Sequence, residues 1–289
     1  MKVIAPVLVP AALAGAMLLA AWGPWARAAP ERRGWGGVLA LMFAFASGYI
    51  ALVGAPEFPP VGARETLFWA VAFSALLAGA EWIWGINAAV SLTVRFLASA
   101  LIVWFVFASL RKNSWSGREA AFWVGGIAAV TASLAQLVDR AAQRDPGPWL
   151  PATLWLICSV AAVAMFLGST ALMAQLCGAL AAAFGAAGVL AIWKRDLSLA
   201  RGGITVFITA YAGLLWQAHF YAELPLQSVQ MLCLAPLAVV VVPIYSAQPL
   251  TPWKRWVIQL SIASVPLILA LAIAYRTYRQ NQSADEYVY

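Results

Sequence analysis

One histidine, three cysteines and a charged fraction of only 10% leave little from which to build a catalytic centre. The lone histidine, His219, excludes a paired-His haem site and any His-rich metal site. Cys158, Cys177 and Cys233 all fall inside apolar runs, and none has a CxxC partner. They read as small buried apolar side chains. A GxxxxGK[ST] phosphate loop, an HExxH pair, a GxSxG elbow and a cluster of aspartates suited to lipid-phosphate chemistry are all missing. Long connections are missing too, which leaves no room for a catalytic domain outside the apolar runs. The chain is therefore not read as an enzyme, and no cofactor or metal is expected.

Charge is scarce against a globular norm of roughly 25%, while 64% of the 289 residues are apolar. The apolar residues are not scattered. From Val3 to Gln280 they form about ten stretches of roughly 20 residues, the length that spans a ~30 Å hydrocarbon core as a helix. Lipid cannot satisfy backbone groups, so each stretch should be helical. A β-barrel would need short alternating segments, and these runs are continuous. The reading is an all-α, polytopic integral membrane protein, expected in a bacterial inner (cytoplasmic) membrane.

Ten spans are assigned: Val3–Trp22, Trp35–Gly54, Thr66–Trp84, Asn87–Leu110, Ala120–Ala141, Leu150–Leu167, Ala171–Trp193, Gly203–Ala222, Ser228–Ala247 and Trp256–Arg276. One helix over 66–110 would be about twice the bilayer thickness, so a hairpin is placed at Gly85-Ile86-Asn87. A second turn is placed near Gly168-Ser169-Thr170. Residues 281–289 read as a flexible polar tail. At the N-terminus, Lys2, the first run and Ala26-Arg27-Ala28 also fit a signal peptide. The length of the run and the flanking Trp22 and Trp25 favour a retained helix.

Most of the 15 tryptophans lie near span ends, where the amphipathic indole prefers to sit. The net charge of +7 sits in small groups at the same places: Arg32-Arg33, Arg111-Lys112, Lys194-Arg195 and Lys254-Arg255. These are membrane anchors, and no nucleic-acid partner is expected. In a ten-span chain, the loops holding Arg27, Arg32-Arg33, Arg140, Arg144, Lys194-Arg195, Arg201 and Lys254-Arg255 share one face. They outnumber the basic residues of the other, so the positive-inside rule places both termini outside the cytoplasm.

Asp145-Pro146-Gly147-Pro148 divides the spans into two groups of five, residues 1–142 and 150–280, of opposite topology. Ala80-Glu81 ends span 3 and Ala222-Glu223 ends the corresponding span 8. In length and span count the chain resembles the drug/metabolite transporter class, which is built from two inverted five-helix halves. That likeness implies an inverted repeat and transport of a small solute. None of the class's conserved segments is placed on these residues. Gly54–Glu65, with Phe58-Pro59-Pro60, is similar to loops of bacterial membrane proteins and implies no function.

Ionisable residues inside a span are costly to bury and therefore point to function. Arg95 lies well inside span 4, and Glu81 lies near the end of span 3. A tight hairpin brings them to one membrane half, ~8 Å apart along the axis. They read as a coupling or substrate pair, or as a structural salt bridge. On the structural reading Arg95→Leu would fold nearly as well as the parent, because Glu81 near the interface could reach water or protonate. His219 and Glu223, at i and i+4, read as a proton relay or as polar residues at a helix end. Gln136, Asp139, Arg140 and Gln143 form a stripe on span 5, read as the helix leaving the membrane or as a vestibule lining. The small residues of span 7, Gly178 to Gly188, read as a helix-packing face.

Two functions follow. One is a secondary transporter of a small solute, with Arg95 and Glu81 facing a cavity. The other is a non-catalytic subunit or scaffold that assembles with other membrane proteins.

Overall fold

The computed structural model describes residues 5–23, 34–85, 87–168, 170–245 and 251–285. The Ala26-Arg27-Ala28 segment, Arg32-Arg33, the turn residues Ile86 and Ser169, and residues 286–289 lie outside them. The described residues are helical and hold no strand. Helices α1 (Ala5–Trp22), α2 (Gly34–Val53), α3 (Ala63–Trp84), α4 (Ala88–Val106), α5 (Ala108–Asn113), α6 (Gly117–Arg144), α7 (Trp149–Leu167), α8 (Ala171–Trp193), α9 (Gly203–Phe220), α10 (Leu226–Leu234), α11 (Ala238–Tyr245) and α12 (Pro252–Asp285) follow in order. Eight of them, α1 to α4, α6 to α8 and α12, are long and apolar enough to cross a bilayer. This is the architecture of a polytopic membrane protein.

Two expected spans take a different form. Helix α9 is 18 residues long but is not among the eight. Its neighbours α2, α3, α6 and α8 surround it, so protein rather than lipid solvates it, and nearly every residue is buried. The ninth span is broken: α10 gives way to a 3₁₀ turn at Ala235–Leu237 before α11. Pro236 has no N–H to give the Leu232 carbonyl four residues back. The buried Tyr211 hydroxyl of α9 donates to that carbonyl instead, at 3.0 Å.

Helix ends follow local chemistry. Gly85 closes α3 in the left-handed conformation that glycine adopts without strain, its N–H returning to the Glu81 carbonyl. Asn87 opens α4 by accepting the Val90 N–H at 3.0 Å. The expected hairpin is thus built by a C-cap and an N-cap with one residue between them. Ser116 and Glu119 form a reciprocal capping box for α6. That helix runs to Arg144, one turn past its expected end. Helix α12 likewise continues into the expected tail as far as Asp285, and Asn281 Nδ2 donates to Glu223 Oε2 at 2.7 Å.

Small residues set the closest helix contacts. A Cβ on Gly36 would lie 2.4 Å from the Ala21 Cβ, and one on Gly48 would lie 2.8 Å from the Ala179 Cβ. These pin α2 against α1 and α8. On the small-residue face of α8, Gly185 packs on the Trp155 indole of α7. Helix α1 also packs on α8, whereas α7 packs on α8 and α12, and α4 packs on α6.

Candidate functional site

The hairpin places Arg95 of α4 opposite Glu81 of α3. Arg95 lies seven residues past Ala88, ~11 Å along α4, and is 6% exposed. Its Nη2 donates to Glu81 Oε2 at 2.8 Å, and its Nε donates to Oε2 at 3.0 Å and to Oε1 at 3.3 Å. The approach expected from sequence is therefore present, with the two-pronged geometry that suits a guanidinium on a carboxylate.

The α6 stripe lines the same cavity, as its vestibule reading allows, and it also completes the cluster, which the sequence does not indicate. Helix α6 turns its polar stripe inward, onto Arg95. Nη1 donates to Gln136 Oε1 at 3.2 Å, and Nη2 donates to Asp139 Oδ2 at 3.3 Å. Asp139 is 4% exposed. It also accepts from Gln143 Nε2 at 3.1 Å and from the Arg201 backbone N–H at 2.7 Å. The Ser91 hydroxyl donates to Glu81 Oε1 at 3.2 Å. The spacing of Gln136, Asp139 and Gln143 was the available signal. It marks one helical face but does not say what that face meets. Nothing in the sequence marks a backbone N–H such as that of Arg201 as a site donor.

Arg201 and Gly202 place that N–H. Arg201 has φ +58 and Gly202 φ +127, both left-handed. Gly202 fits between Val38 and Ala78, where a Cβ would come within 2.6 Å of Val38 Cγ2. The loop before α9 is thereby held against α2 and α3, and it presents its N–H to Asp139.

The sum of formal charges on Arg95, Glu81 and Asp139 is −1. The cluster forms the floor of a cavity of ≈330 Å³, with the exposed Arg140 and Arg201 at its rim. A file of smaller spaces continues inward between α3, α4, α6 and α9. Glu81 and Arg95 also line the next, of ≈20 Å³, together with Ser74, Ser99, Thr131, Thr205 and Thr209. The Thr205 hydroxyl is buried without a partner there. Ser99, Thr131 and Thr209 border a further ≈20 Å³ space, otherwise walled by apolar groups including Val103, Ile127 and Trp216. Each holds about one water by volume. Ile102 and Val106 then separate the file from a vestibule of ≈1010 Å³ at the opposite face.

His219 and Glu223 are not brought together. Helix α9 stops at Phe220, ahead of Pro225, so the two do not share a helical face. His219 Nδ1 lies 2.9 Å from the Leu224 carbonyl, which fixes the proton on Nδ1, and the ring packs at a tilt on Phe220. Glu223 holds Asn281. Glu81 and Glu223, matched in the sequence reading, thus sit in different surroundings. The three cysteines are buried free thiols. No cluster of three metal-ligating side chains occurs among the described residues.

No family model, no curated protein and no solved structure matches the chain. What places it is its own architecture: a polytopic helical membrane protein with a buried, charge-unbalanced ion cluster at the floor of an open cavity.

Proposed function

We propose that the protein is a secondary transporter of a small solute, and that the cavity floored by Arg95, Glu81 and Asp139 is its binding site. The observation that carries this is the file of spaces along one axis, from the open cavity through the hydroxyl-lined core to the vestibule. The site opens to one face and closes to the other at the apolar collar around Val103, Val106 and Trp216. That is one half of an alternating-access cycle. The ten-span reading fits this role, with α9 and the broken α10–α11 segment as the two spans beyond the eight. Paired α1–α2 and α7–α8 support two related halves. The seating of α1 on α8 and of α7 on α12 makes the relation an imperfect one.

The charges suggest the solute. A net −1 on the floor suits an ammonium group, and Arg140 and Arg201 at the rim suit a carboxylate. A small zwitterion is the class to try first. A second reading has its own support: Nε, Nη1 and Nη2 of Arg95 are all engaged by protein acceptors. A purely structural cluster in a scaffold subunit would look the same.

Reconstituted protein on a solid-supported membrane, challenged with a panel of small zwitterions, cations and anions, separates the two. Transport predicts a solute-specific current that Arg95→Lys abolishes while the protein remains folded. Lysine keeps the charge but loses the fork. The absence of current across the panel, with a stoichiometric protein partner recovered from native membranes, would instead establish the scaffold reading.

A further inference from the structure

The ≈1010 Å³ vestibule is not needed to explain the Arg95 site, and its walls are of two kinds. On one side Trp69 and Phe73 of α3 and Leu101 and Phe105 of α4 line it, all four exposed. The two helices meet at the Gly85 hairpin and leave this opening at their far ends. On the other side the lining is positive. Arg64 and Lys112 are exposed at the mouth, and Glu65 offsets one of the two charges. The first turns of α3 and α8 also border the space, through Ala63–Glu65 and Ala171–Met173. Their N–H groups have no acceptor within their own helices. Neither the Gly62 nor the Thr170 N-cap supplies a side-chain acceptor. The α8 start adds about half a positive charge, whereas at the α3 start the Glu65 carboxylate already lies over Gly62.

A separate observation points to a ligand. Gln217 of α9 borders the vestibule and is 1% exposed. Its Nε2 donates to the Ala63 carbonyl at 2.7 Å, which fixes the amide, and its Oε1 is buried with no donor. The group that completes it must carry a hydrogen-bond donor.

We propose that the vestibule binds an anionic membrane lipid with a hydroxylated headgroup, of the phosphatidylglycerol kind. The phosphate lies between Arg64, Lys112 and the α8 start. A headgroup hydroxyl donates to Gln217 Oε1, which has no accessible surface in the lipid-free protein and is uncovered by a shift of the side chains at the vestibule wall. One acyl chain leaves between α3 and α4 along Trp69, Phe73 and Phe105. A free phosphate would use only the positive wall and leave the apolar one uncovered, so the source is the bilayer. The inference does not depend on transport.

Native mass spectrometry of delipidated protein, with phosphatidylglycerol or phosphatidylcholine added back, tests it. The parent should retain phosphatidylglycerol selectively. Arg64→Ala with Lys112→Ala should weaken that retention roughly ten- to thirty-fold, as expected for two surface cations on an anionic lipid, and leave phosphatidylcholine unchanged. Ser109→Trp, at an exposed position in the wall, keeps every charge and should block retention by filling the space. Gln217→Leu should erase the preference for phosphatidylglycerol over phosphatidic acid, which has no headgroup hydroxyl. Equal retention of phosphatidylglycerol and phosphatidylcholine by the parent, or retention unaffected by the double alanine variant, would overturn the proposal. Loss of solute current with selective lipid retention intact would remove the transporter reading and leave this one.

Discussion

Arg95→Leu should be among the most destabilising single polar substitutions in the chain, at about 3–5 kcal/mol. The cost is not the loss of attraction itself. It comes from leaving carboxylates buried without a cation. Glu81 would keep only the Ser91 hydroxyl. Asp139 would keep Gln143 and the Arg201 N–H, but no charge. This corrects the expectation drawn from sequence, that Arg95→Leu would fold nearly as well as the parent. That expectation considers Glu81 alone and lets it reach water or take a proton. Glu81's side chain is 9% exposed, and Asp139 shares its dependence on Arg95. Removing Arg95 and Glu81 together, as Arg95→Leu with Glu81→Leu, should recover at least half of the loss. The three buried thiols give the readout, because a thiol-reactive dye reaches them only on unfolding. Melting of Arg95→Leu within about 1 kcal/mol of the parent would mean that the carboxylates find water or protons easily.

Gly202→Ala should be comparably severe, for a different reason. At φ +127 an L-residue is strained, which costs about 1–3 kcal/mol. The added Cβ also meets Val38 Cγ2 at 2.6 Å and Ala78 Cβ at 3.1 Å. Overpacking of that kind costs about another 1–3 kcal/mol. Relief of the clash must move the loop, and with it the Arg201 N–H that holds Asp139. Gly202→Ala should therefore lower the melting temperature in the same thiol-dye assay and also weaken solute binding in whatever protein remains folded. Gly79→Ala is the control. Its Cβ would meet nothing within 4 Å inside α3, and the change should be neutral or slightly stabilising. Equal melting of the two variants would contradict the account of the loop.

What was legible in the sequence followed from length and local chemistry. Runs of near-bilayer length gave the helices. A glycine and an asparagine around one residue gave the α3–α4 hairpin, and the hairpin gave the approach of Arg95 and Glu81. The rest depends on which faces meet across the bundle. The α6 stripe is readable as a stripe, but only packing against α4 makes Asp139 and Gln136 partners of Arg95. His219 and Glu223 looked like one face because i and i+4 assumes an uninterrupted helix, and α9 ends between them. The break in the ninth span follows from Pro236, yet its cost is met by a hydroxyl from another helix. The sequence marks Gly203–Ala222 as a span but not what surrounds it. Its threonines, Gln217 and His219 are tolerated because protein encloses it.

The central claim is that water reaches the Arg95 cluster from one face only. Ser91 touches Glu81 at the cavity wall and is 7% exposed, so Ser91→Cys places a small probe at that depth. Sealed vesicles of known orientation, treated from either side with a small cationic membrane-impermeant thiol reagent, decide the matter. Arg201→Cys marks one face and Ser109→Cys the other. The account predicts that Ser91→Cys reacts from the Arg201 side and is protected from the Ser109 side. A Ser91→Cys thiol that stays unreactive from both faces until the protein is denatured, or that reacts from the Ser109 side, would contradict it.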